Sequence, residues 1–83
     1  MIHELKTVNP YYKALKAGTK TFEIRSNDRN FNVGDVLILK EWVVKTKRYT
    51  GDALLFVITY VLHGDNFGLK SGYVALGLGF CRE

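Results

Sequence analysis

Apolar residues fall into strand-like runs separated by polar, turn-forming connections, with alternation of period two within them, and one short stretch follows the helical period instead. Ile2 to Thr7 reads as a first strand. Asn9-Pro10 then marks a helix start, with Asn9 as the cap and Pro10 in the first turn. The helix is expected over Pro10 to Ala17, with Tyr11, Ala14 and Leu15 on its apolar side and Lys13 and Lys16 facing outward. Gly18 ends it as a left-handed C-cap. Beyond it, Phe22 and Ile24 alternate with Glu23 and Arg25 in the pattern of a half-buried strand, so one strand face carries both charged residues.

Ser26 to Asp35 is polar and rich in turn formers. It leads to Val36 to Val44, a strongly apolar strand. Lys45 to Gly51 is a second polar connection, and Ala53 to His63 is a long β-rich run expected to pair with the preceding strand as a hairpin and to bend midway. Gly64 to Gly72 forms a glycine-containing loop with a short turn at Asp65 to Phe67, and Tyr73 to Phe80 is the last strand. Within it Val74, Leu76, Leu78 and Phe80 share one face, while Gly77 and Gly79 lie on the other, where barrel curvature and the helix over Pro10 to Ala17 would account for residues so small. Phe22, Phe56 and Phe80 are expected in the core, and Trp42 and Tyr60 on half-buried surface. The pattern predicts a mostly β fold with one or two short helices, its five or six strands forming a curled or closed sheet.

Eighty-three residues, 47% of them hydrophobic, are expected to make a single domain over 1–83 with one small core. The lone cysteine, Cys81, excludes an intramolecular disulfide and a cysteine-based zinc cluster, and it fits a reducing, cytoplasmic compartment. No apolar run reaches the roughly 18 residues of a membrane span, and MIHELK does not read as a signal peptide, so no membrane partner is expected. A net charge of +4 favours polyanions mildly, without the Lys/Arg density of a nonspecific nucleic-acid coat. His3 and His63 lie far apart in sequence with no third ligand nearby, so neither a metal nor another cofactor is expected. Ser/His/Asp and Cys/His arrangements and a phosphate-cradling lysine loop lack local support.

The run GTKTFEIR, Gly18 to Arg25, places a glycine, a lysine, a glutamate and an arginine around the helix-to-strand junction. An exposed Glu23 and Arg25 pair would by itself be a surface salt bridge of little energetic weight. The spacing Gly-x-Lys-x-x-Glu-x-Arg, complete at Gly18, Lys20, Glu23 and Arg25, resembles the signature of the ASCH domain (activating signal cointegrator homology), a branch of the PUA-like superfamily. His3-Glu4-Leu5-Lys6, Phe31 to Asp35 and Leu69-Lys-x-Gly-Tyr73 extend the resemblance, towards small bacterial and phage ASCH-like proteins, over nearly the whole chain.

The resemblance implies a PUA-like pseudo-barrel with a cleft beside the signature strand that holds RNA or a nucleotide-like ligand. A stand-alone binding module is the leading expectation. Arg25 would hold a phosphate or base edge with its planar fork, Lys20 would add a mobile positive charge, and Glu23 would orient Arg25 or accept from an exocyclic amine. His3 and Lys6, on a strand expected to flank the cleft, are further candidate contacts. Lys45, Lys47 and Arg48 at the hairpin tip, beside Tyr49, are either a solvated loop or an accessory arm that tracks phosphates. A related branch hydrolyses the amide of an acetylated cytosine nucleoside with a lysine, a threonine and a distant glutamate. Here Glu23 takes the threonine position, and a carboxylate cannot replace a lysine-activated hydroxyl in that acyl transfer. The enzyme alternative is therefore an amidohydrolase using Lys20 and Glu23, and the third alternative is a protein-interaction adaptor.

Overall fold

A computed structural model describes residues 1–81. Strand β1 (Ile2–Thr7), helix α1 (Tyr11–Ala17) and strands β2 (Phe22–Ser26), β3 (Val36–Val43), β4 (Arg48–His63) and β5 (Tyr73–Phe80) follow in that order. The strands form one sheet in the order β1-β3-β4-β5-β2. The β1–β3 pair is parallel, and the other three pairs are antiparallel. The sheet curls into a half-barrel, the mostly β, curled sheet that the alternation predicts and the pseudo-barrel that the resemblance implies.

Alternation explains the core directly. β1 buries His3, Leu5 and Thr7 and exposes Ile2, Glu4 and Lys6. Leu37 and Leu39 of β3, Phe56 and Ile58 of β4, and Val74 and Leu76 of β5 join Leu5, Leu15 and Phe31 in one apolar cluster. β4 is long enough to serve two partners: its first part pairs with β3 and its second with β5, with register shifts at Lys40/Trp42 and Ile58/Tyr60. Such irregularities bend a strand and let a small sheet curl. The β3–β4 turn is tighter than Lys45 to Gly51, because β4 already begins at Arg48, where Val43 pairs with Arg48 and Trp42 with Tyr49.

The helix begins at Tyr11, one residue later than expected, with Pro10 in the cap position after a cis Asn9-Pro10 bond. Asn9 still serves the helix end, its Oδ1 accepting from the Lys13 N–H at 3.0 Å. The apolar face is also rotated: Tyr12 and Leu15 are buried, and Tyr11 is exposed. Tyr12 can be buried because its hydroxyl donates to Asp52 of β4 at 2.8 Å, and burial followed by that carboxylate pushes the phenol well above its ordinary pKa. Gly18 closes the helix in the left-handed conformation, with φ of 83°.

Two expectations about β5 are corrected. Phe80 is exposed, because the strand runs past the edge of the core, although its ring still packs on Phe56 with centroids 4.9 Å apart. Gly77 and Gly79 accommodate Thr59 of β4 and not the helix, since a Cβ on either would come within 3.0 Å and 3.2 Å of the Thr59 side chain. Among the described residues no helix is long and apolar enough to cross a membrane.

Candidate functional site

β1 and β2 are the two edges of the sheet, and the curl brings them towards each other. β2 is expected to bury Phe22 and expose its charged face, but the strand is set the other way: Glu23 is buried, Arg25 is half-buried, and Phe22 and Ile24 are exposed. The charged face turns inward because it has partners there. Lys20 Nζ donates to Glu23 Oε1 and to the Phe22 carbonyl, and Arg25 Nε donates to Glu23 Oε2 at 2.9 Å. Arg25 Nη2 then reaches across to β1, donating to the Lys6 carbonyl at 2.8 Å and the Thr7 hydroxyl at 3.3 Å. A hydrogen-bonded chain from Lys20 through Glu23 and Arg25 thus bridges the seam of the half-barrel.

A cleft of about 540 Å³ lies on this seam, lined by the same Lys20, Glu23 and Arg25 together with Thr7, Tyr11 and Phe22, among others. Both oxygens of Glu23 are engaged by cations. A guanidinium carries five N–H donors. Nε and Nη2 account for three, and Nη1 donates to no described group, which leaves Arg25 two donors for a ligand. Lys20 Nζ sits 5.0 Å from the Phe22 ring centroid and 5.8 Å from that of Tyr11, so exposed aromatic rings flank the cationic wall. The site can therefore offer a planar donor pair, a second positive charge and two ring faces within one concavity.

Residues 2–78 match a domain of unknown function, DUF3850. The chain belongs to the DUF3850 family. It is also 48% identical, over 42 residues, to an "Uncharacterized 12.9 kDa protein in GpA 3'region" from Escherichia phage P2. That match covers 51% of this chain and 38% of the phage protein, so the chain spans well under half the length of this relative.

The DUF3850 chain does not gather every residue named from its sequence. Lys6 joins the cleft, its carbonyl bound to Arg25, while its ammonium lies 4.0 Å from the centre of the Trp42 ring. His3 is not in the cleft: β1 alternation turns it inward, where its Nε2 bonds Asp35 at 2.9 Å and its ring packs edge-on against Phe31. The histidine hydrogen bond is the main influence holding the Asp35 carboxyl down at about 2, helped by the amino terminus and the Asn32 N–H. Lys45, Lys47 and Arg48 stay exposed at the β3–β4 connection and line neither the seam cleft nor a second cavity that the adjacent Tyr49 lines. Sequence reasoning missed Thr7 and Tyr11. Thr7 is the inward-facing end of the β1 alternation, and Tyr11 is freed for the cleft by the rotated helix face.

Proposed function

We propose that this DUF3850 chain is an ASCH-like, PUA-like module that binds single-stranded RNA, or a modified nucleotide, in the seam cleft. The observation that carries the reading is the half-satisfied Arg25 fork, fixed by Glu23 and by β1 in a concavity walled with exposed aromatic rings. A fixed guanidinium suits a phosphate or the acceptor edge of a base, and exposed rings suit stacking on unpaired bases. Binding is favoured over hydrolysis because Glu23 already has both oxygens in salt bridges with Lys20 and Arg25 and is held as a positioning group.

Fluorescence anisotropy with short single-stranded RNA tests this. With about three to five cations on phosphates, log affinity falls against log salt with a slope of about −2 to −3.5. Arg25→Ala weakens binding more than Lys47→Ala, because Lys47 lies outside the cleft. Equal losses from the two substitutions would indicate diffuse charge attraction and contradict the reading. Turnover of N4-acetylcytidine by the native chain, lost in Lys20→Ala, would replace binding with amide hydrolysis.

A further inference from the structure

A second cavity, of about 360 Å³, shares Lys6 and Arg25 with the seam cleft in its lining. Its wall adds Arg29, Asp28, Glu4 and Tyr49. Two of its five charges are acidic, but Glu4 is already taken by Lys40, whose ammonium binds it at 2.8 Å and keeps its carboxyl below the usual range. Arg29 makes no ion pair among the described residues. Arg25 is shared with Glu23, and of the charges without an ion pair among the described residues Lys6 and Arg29 face the single acid Asp28, so the cavity keeps a small cationic excess.

Tyr49 gives the cavity its aromatic surface. Its ring stands edge-on to Trp42, with centroids 4.8 Å apart at 72°, and Lys40 Nζ lies 5.0 Å from its centre. Tyr49 is 46% exposed, and Trp42 and Lys40 lie against its ring. A half-exposed ring packed in this way stacks on a base with little loss of side-chain freedom. The second cavity therefore repeats the chemistry of the first, and the unused Nη1 donors of Arg25 lie on residues common to both.

We propose that the second cavity is a subsite for the next nucleotide of the same RNA strand, with the linking phosphodiester on Arg25 and Lys6, the following phosphate on Arg29 and the second base against Tyr49. The proposal rests on the nucleotide reading of the seam cleft and adds to it a polarity along the surface. Its ligand is an oligonucleotide of at least two residues. A free mononucleotide would fill the seam cleft alone.

The test compares a random-sequence tetraribonucleotide pool with an equimolar mixture of the four mononucleotides, both as unlabelled competitors of a labelled tetraribonucleotide. The native chain is expected to bind the tetranucleotides at least about tenfold more tightly, within the range of one base-to-aromatic stack. Arg29→Ser and Tyr49→Leu are each expected to weaken tetranucleotide binding several-fold and to leave mononucleotide binding within about twofold. Arg29 is exposed, so its substitution decides the matter even where Tyr49→Leu disturbs the fold. Unchanged tetranucleotide affinity in Arg29→Ser would overturn the second subsite and leave the seam cleft intact as a site. Parallel losses for both ligands would overturn it as well. Failure of the native chain to bind either ligand would overturn the seam reading itself.

Discussion

Glu23 holds the seam together at the level of single side chains, because it is the one acid between Lys20 and Arg25. Removing one member of a buried ion pair costs about 3–5 kcal/mol when its partner is left fully buried. Lys20 and Arg25 retain 18% and 24% of their side-chain exposure, so water offsets part of that cost. Glu23→Gln should therefore lower stability by about 1–3 kcal/mol in urea unfolding. Glu4→Gln should lower it less, because the Glu4–Lys40 pair lies in solvent. Equal effects would contradict a buried role for Glu23. Asp35 makes a second prediction at this scale. Its folded pKa of about 2 lies below the ordinary 3.8, so its carboxylate contributes stability that is fully present above 3.8 and is lost as pH falls towards 2. Asp35→Asn should be less stable near neutrality and show a shallower fall in stability across that acid window. An unaltered slope would sink the assignment.

The elements follow from alternation where both faces obey it. β1 and β5 have the expected limits, Ile2–Thr7 and Tyr73–Phe80, because their inward positions are apolar or find a partner. Gly18 was equally legible, since a left-handed residue after a short helix favours glycine. Gly18→Ala should cost about 1–2 kcal/mol, seen as a lower urea midpoint with an unchanged slope, and an unmoved midpoint would contradict the cap. Two features escaped local reasoning. The α1 face turned on whether Tyr11 or Tyr12 goes inside, which the hydroxyl partner Asp52, distant in sequence, decides. The orientation of β2 reversed because its charged face satisfies itself through Lys20 and the β1 carbonyl, so the usual rule of apolar side inward gave way to hydrogen bonding.

Across the whole molecule, the spacing of Lys20, Glu23 and Arg25 was enough to gather three cleft residues, because they lie within one helix-to-strand junction. That the first strand flanks the cleft was expected, but how the seam is built was not legible. It depends on β1 pairing in parallel with β3 and on β2 lying at the opposite edge of the sheet, and neither long-range fact leaves a mark on local alternation. The same topology explains why His3, although on the flanking strand, points away from the cleft, and why the turn lysines stay outside it. It also gathers the cleft residues into a small part of a chain whose net charge is only +4. The most direct test of the central claim is an NMR titration of the isotopically labelled chain with short single-stranded RNA. The backbone amide shifts are expected to move most at residues 6–8 and 20–25, the two sides of the seam. Changes confined to the turn at 44–47, or spread evenly over the exposed lysines, would contradict the account.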